Sequence, residues 1–355
     1  MNASVEQIQF TPQELLSDAV CTTPLIAGGV LCHGGFSDDG QYVSPRTLHR
    51  NPAVRAWQEQ LHASGEPLIE IADALLPPQY PSVEQARLLL ARGMPEPIVR
   101  ALTVISILEG FGAIIRDVRV PELKALFIEP IEGTALAHLD QGLFEAHARD
   151  EAGYRDQGGH KQMWEAARDL ALQNPKVPSD VFMRLMGNRG QARGGDPLFP
   201  QLDKQLYRML SMMSQVYVIE VFARRTFDWG IALLSDPEVS AAPKEAGAMV
   251  SFIQADEAPH VQYLRTALSE TRARTLRCVD GSTIAGRSVV DGLLHHILSR
   301  AIESRPREQR DETRGLVSKA VESGKASVSL LEEFDALASR FDPPALTGFE
   351  AQPAA

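Results

Sequence analysis

The 355-residue sequence predicts an all-α protein, on three observations. Between about residues 94 and 275, apolar side chains recur at i, i+3, i+4 and i+7 over four long segments, the spacing of amphipathic helices. Each of those segments carries one Glu in the row that faces inward. Two short motifs also occur twice, at separations that suit a pair of helix hairpins.

Taken in order, residues 1–93 form a lead-in in which Gly28–Gly29, Gly34–Gly35, Asp38–Asp39–Gly40, Pro77–Pro78 and Pro81 interrupt every periodic run. An irregular cap with only short helices is expected there. Residues 94–275 form the bundle. Its first helix spans about 97–118, with Pro95 and Pro97 at the start and Pro121 after the end, and it aligns Ile98, Leu102, Ile105 and Glu109. The second spans about 133–155 and aligns Asp140, Phe144, His147, Glu151 and Tyr154. A further helical run covers 160–172, and a connection from 174 to 200, with Gly187, Gly190 and Gly194–Gly195, is long enough to let the bundle halves cross over. The third helix, about 202–234, aligns Met209, Met213, Val216 and Glu220; the fourth, about 244–271, aligns Ala246, Val250, Ile253 and Glu257. Residues 276–342 read as a helical extension, with helices near 288–302 and 309–339, and 343–355 as a flexible tail.

With 44% hydrophobic and 23% charged residues, the chain can bury a substantial core. Its 46 acidic against 35 basic side chains give a net charge of −11, which repels a nucleic-acid backbone and predicts no nucleic-acid partner. No stretch approaches the roughly 18 to 20 uninterrupted apolar residues of a membrane span, and the N-terminus has no signal-like pattern. A cytoplasmic protein with no membrane partner is the expectation. Cys21, Cys32 and Cys278 are too few and too scattered for a disulfide framework, and the Cys32–His33 dipeptide alone does not make a metal site.

The sharpest signal is a pair of pentads, Asp150-Glu151-Ala152-Gly153-Tyr154 and Asp256-Glu257-Ala258-Pro259-His260, identical at three of five positions. A second pair precedes them, Ile107-Leu108-Glu109-Gly110-Phe111 and Val218-Ile219-Glu220-Val221-Phe222. Glu109 precedes Glu151 by 42 residues and Glu220 precedes Glu257 by 37, about one helix hairpin in each case. Four carboxylates inside an apolar bundle repel one another and lose hydration. Cations resolve that repulsion, and oxygen donors with an imidazole one helical turn away suit iron or manganese. Arg224, one turn after Glu220, leaves a plain ion pair as the alternative for that carboxylate. His138, His160 and His295–His296 stand off the register and read as surface or locally hydrogen-bonded residues.

Over about residues 95–275, the order Glu, Glu-x-x-His, Glu, Glu-x-x-His resembles the ferritin-like di-iron carboxylate proteins, here as Glu109, Glu151-x-x-Tyr154, Glu220 and Glu257-x-x-His260. The resemblance implies a ferritin-like four-helix bundle with Glu109, Glu151, Glu220, Glu257 and His260 as metal ligands. It further implies that Asp150 and Asp256 orient imidazoles from behind. Tyr154 departs from the pattern. Either it ligates as a phenolate, or His147, four residues before Glu151, replaces the missing imidazole, or that half binds metal weakly; His147 is the preferred ligand, with Tyr154 a catalytic neighbour. Pro259 is expected to bend the fourth helix beside the site.

The implied activity is that of a non-haem di-iron oxidase or oxygenase, with two iron ions as cofactor, manganese permitted, dioxygen as co-substrate and a small organic substrate. Electrons would come from the substrate or an external donor, and the extra C-terminal helices permit a homodimer. The alternatives are a metal-binding or degenerate ferritin-like bundle with a structural or binding role, and a di-manganese enzyme acting on peroxide.

Overall fold

A computed structural model describes residues 8–185, 196–303, 305–338 and 346. The expected Gly187, Gly190 and Gly194–Gly195 of the long connection, and the 343–355 tail apart from Leu346, lie outside the described residues. The chain is mostly helical.

Residues 1–93, expected to be irregular, contain a small sheet and one long helix. After α1 (Pro12–Leu15), β1 (Thr23–Ala27) and β2 (Val30–Phe36) pair antiparallel, and β3 (Tyr42–Val43) pairs on the other side of β2. Gly28 and Gly29, which were read only as breakers, make the hairpin turn with φ of 57° and 80°. Then come α2 (Arg50–Ala63) and α3 (Val83–Ala91), the latter begun by a capping box of Ser82 and Gln85.

The bundle begins with α4 (Glu96–Gly112), which tightens into a 3-10 turn over Ala113–Asp117, and a short α5 (Leu123–Leu126) follows. The second expected helix, 133–155, is not continuous. A 3-10 turn, Ala135–His138, and a π-type turn, Leu139–Leu143, lead into α6 (Phe144–Ala152); Gly142 sits at φ 134° and breaks the regular ladder. α6 ends at Gly153, with φ 83°, where any Cβ would collide with the Gln157 carbonyl. α7 (His160–Ala171), α8 (Lys204–Leu234) and α9 (Pro243–Arg272) complete the bundle. Asp203 caps α8 through the amides of Gln205 and Leu206, and α9 runs as one helix through Pro259. A hairpin of β4 (Thr275–Arg277) and β5 (Thr283–Ala285) leads to α10 (Gly286–Glu303), α11 (Arg305–Glu322) and α12 (Val328–Ala336); the expected 309–339 helix is therefore two.

α8 packs along α9; α7 lies against α9 and α4, α6 against α4, and α10 covers α8 and α9. Two apolar cores result. One contains Met209, Met213 and Tyr217 of α8 with Tyr263, Leu264 and Leu268 of α9. The other contains Ile98, Leu102 and Ile105 of α4, Trp164 of α7, Phe227 and Leu233 of α8, and Val250 and Ile253 of α9. Each fully buried large apolar side chain contributes about 1.5–3 kcal/mol, so each core is a substantial support. Glu220 lies between the two apolar stretches of α8, and Glu257 and His260 between those of α9, so the polar residues are clamped from both ends.

The segment Glu96–Asp117 is long and apolar enough to cross a membrane by length and composition, although the sequence reading found no uninterrupted apolar run there. That reading sought an unbroken run, which Arg100, Glu109 and Arg116 interrupt. Here the segment's Ile98, Leu102 and Ile105 pack into the second core.

Candidate metal centre

The site starts from four helices that deliver carboxylates to one place. Glu109 comes from α4, Glu151 from α6, Glu220 from α8 and Glu257 from α9. Gly112 makes room for this convergence, because a Cβ there would stand 2.6 Å from Cγ of Glu151. Glu151 and Glu257 are deeply buried, whereas Glu220 keeps 8% and Glu109 12% of its exposure, so the cluster is most open on the Glu109 and Glu220 side.

Three imidazoles, all fully buried, face these carboxylates. His260 Nδ1 lies 2.7 Å from Glu257 Oε2 and 3.2 Å from Glu151 Oε1. His147 Nε2 lies 3.4 Å from Glu220 Oε1 and 3.6 Å from Glu151 Oε1, so the structure brings the His147 side chain into the cluster. The third, His160, was read from sequence as a surface or locally bonded residue. Its Nδ1 is 2.8 Å from Glu257 Oε1, 3.5 Å from Glu151 Oε1 and 3.6 Å from Glu109 Oε2.

The misplaced residue is Tyr154. The i+3 position after Glu151 exists only while the helix continues, and α6 stops at Gly153. Tyr154 instead exchanges two backbone hydrogen bonds with Gln157, and its ring lies 3.7 Å below the Arg149 guanidinium. Gly159 then closes the turn against the backbone of Asp150 and Gly153, with no room for a Cβ, and presents His160 as the first residue of α7. Thus the imidazole expected at position 154 is supplied from the start of the next helix. The glycines at 153, 158 and 159 were the signal that could have found it.

Asp150 and Asp256 stand behind imidazoles, each behind that of the opposite half. His260 Nε2 is 2.9 Å from Asp150 Oδ2, and Asp150 also accepts from Arg46 Nε at 2.6 Å and Arg50 Nη1 at 2.8 Å. His160 Nε2 is 3.6 Å from Asp256 Oδ2, which accepts from the Tyr42 hydroxyl at 2.8 Å and lies 3.3 Å from His33 Nε2. Tyr263 meets His147 from behind, hydroxyl to Nδ1 at 3.1 Å. Tyr42, Arg46, Arg50 and Tyr263 carry no pattern in the sequence that links them to the site.

The charges follow from burial and neighbours. Burial pushes Glu151 and Glu257 well above the usual carboxylate range, and each is raised further by other Glu side chains. Glu220 goes the other way, to about 2, because His147 outweighs its burial. Burial and His147 lower His260 to about 3, while Glu257 and Glu151 overcome burial and raise His160 well above the ordinary histidine value. Burial also opposes ionisation of Asp150, but Arg46 and Arg50 hold it well below its usual value. The alternative ion pair is absent: Arg224 binds Asp73 at 2.8 and 3.0 Å, leaving Glu220 to the cluster. His138 is held between Thr134 O and the Phe10 amide, away from the site.

The hydrogen bonds of the donor set, and the gaps among them, fit a metal. His147 Nε2, Glu151 Oε1, both ring nitrogens of His160 and Glu257 Oε1 are buried with no hydrogen-bond partner, although they crowd within a few ångströms of one another. Apart from His260 Nδ1, hydrogen-bonded to Glu257 Oε2 at 2.7 Å, the donors converge without bonding one another, as ligands around shared points do. Two overlapping groups result, His147, Glu151, Glu220 and His260, and Glu151, His160, Glu257 and His260, each with donor atoms within 4.8 Å of one another; His33, His160 and Asp256 make a third, smaller one behind His160. Glu109 borders the second through His160. These clusters could hold metal ions. Comparison with known protein families, curated proteins and solved structures returns no match for this chain, so the reading of the centre rests on its own geometry.

Proposed function

We propose that this chain is a ferritin-like non-haem di-iron oxidase or oxygenase that uses dioxygen to oxidise a small organic substrate. One observation carries the reading. Six buried donors, His147, Glu151, His160, Glu220, Glu257 and His260, form two overlapping ligand groups that share Glu151 and His260, and Glu109 borders them through His160. Four carboxylates with three imidazoles suit a pair of divalent iron ions, and manganese fits the same donors.

Two ferrous ions held there would supply the reduction of dioxygen and the oxidation of the substrate. The residues do the rest. Glu151, between the two groups, serves both positions, and Asp150 holds the His260 ring so that Nδ1 faces the carboxylates. Apolar cores on both sides exclude water, and the more exposed Glu109 and Glu220 mark the side from which a small molecule approaches. Electrons come from the substrate or a separate donor protein.

The test is rapid mixing of the anaerobically iron-loaded protein with dioxygen. Stoichiometric oxygen uptake with a transient visible or near-ultraviolet band is expected, abolished in His160→Ala and retained in Tyr154→Phe. Peroxide turnover by the manganese-loaded protein, with no oxygen uptake by the iron form, would select the di-manganese reading. Metal bound with neither reaction would leave a structural or storage bundle.

A further inference from the structure

The two ligand groups differ in how firmly their imidazoles are set, and the difference lies outside the groups themselves. The shared His260, and His147 on the Glu220 side, are both anchored from behind. His260 Nε2 meets Asp150 at 2.9 Å, and Asp150 is fixed in turn by Arg46 and Arg50. His147 meets the Tyr263 hydroxyl through Nδ1; an Nδ1–H donating to that oxygen leaves the Nε2 lone pair for the cluster. On the other side, His160 turns Nδ1 to the carboxylates, 2.8 Å from Glu257 Oε1, and its Nε2 has no hydrogen bond behind it. Its nearest support, Asp256 Oδ2, is 3.6 Å away and already accepts from Tyr42, with His33 at 3.3 Å from the same oxygen.

A preset ligand ring loses little freedom when it binds, whereas an unset one must be ordered at that moment. His260 belongs to both groups, so the difference between them lies in His147 and His160. We propose that the two positions fill in order, the His147–Glu220 position first and more tightly, the His160–Glu257 position second, with Glu151 and His260 common to both. Tyr263 is then a positioning residue for the first step, acting through His147. Asp256, whose oxygen Tyr42 and His33 contest, positions the ligand of the second. This inference rests on the two-metal reading above.

Anaerobic titration of the metal-free protein with cobalt(II) tests it, because the d–d absorption of each equivalent reports its own ligand field. Two resolved steps are expected, with the first at least about tenfold tighter, in line with the 10- to 100-fold effects of such outer partners. Tyr263→Phe should weaken the first step by about tenfold or more and change the first equivalent's spectrum. Asp256→Asn should weaken only the second step, leaving the first equivalent's spectrum unchanged. Both substitutions preserve shape, and thermal unfolding of the metal-free variants checks the fold. Two equivalents bound in one step, or a Tyr263→Phe effect confined to the second, would overturn the order of filling. No bound cobalt at all would remove the order together with the two-metal reading, so the two failures are distinguishable.

Discussion

At the scale of single residues, the centre depends on a glycine as much as on its donors. Gly112→Ala would drive a methyl group to within van der Waals contact of the Glu151 side chain, starting 2.6 Å from Cγ. Because Glu151 belongs to both groups, this one methyl is expected to lower the affinity for both ions while leaving helical content unchanged, checked by metal titration beside circular dichroism. Retained affinity would mean that Glu151 can shift without loss. The four Glu were legible in the sequence because they share a helical row with apolar neighbours, and their side chains converge in the structure. His160 was not legible by that rule. Its approach depends on a chain reversal at Gly153–Gly159, and a periodicity rule that assumes a continuing helix places Tyr154 where His160 belongs.

At the scale of elements, the end of α9 anchors the irregular start of the α6 segment. Glu270 is buried and accepts from the amides of Ala135 and Leu136 at 3.0 and 3.1 Å. Burial pushes its carboxyl up to about 7, despite those two amides. The folded protein therefore binds this proton more tightly than the unfolded chain, whose Glu titrates near 4.3. Stability from this group is present below about pH 4.3 and is lost as pH rises to about 7, on the order of 3 kcal/mol. Glu270→Gln, which cannot ionise, should gain on the natural protein by that order between pH 5 and pH 8 in urea unfolding of the metal-free form. A difference that stays constant with pH would contradict the assignment. The long helices were legible because α8 and α9 repeat their apolar spacing over about eight turns each. The small sheet was not: β1 and β2 are short, and the Gly28–Gly29 pair marks a break and a hairpin equally well until its partner strand is seen.

At the scale of the whole molecule, the N-terminal segment does more than cover the bundle. Tyr42 of β3, His33 of β2, and Arg46 and Arg50 around the start of α2 reach the two Asp side chains that stand behind the imidazoles. The bundle, meanwhile, holds two carboxylates, Glu151 and Glu257, that burial and repulsion by other Glu side chains push up in pKa. Cations that relieve this repulsion would bind the folded chain and not the unfolded one, so loading should raise the melting temperature. At a free metal concentration of 100 times Kd the gain is about 2.7 kcal/mol per site. Calorimetry with and without a chelator checks this, and a melting temperature indifferent to metal would count against the centre. These long-range clamps join residues 100 or more positions apart, and one sequence read alone has no signal for such pairings.

The most direct measurement is metal content per chain after anaerobic reconstitution with ferrous iron, in the natural protein beside Glu257→Ala, His147→Ala and His160→Ala. The account predicts about two ions per chain in the natural protein, as the paired ligand groups require, and a clear reduction in all three variants. Less than about a tenth of an ion, with iron and with manganese alike, would contradict it and leave the buried Glu and His side chains to structure alone.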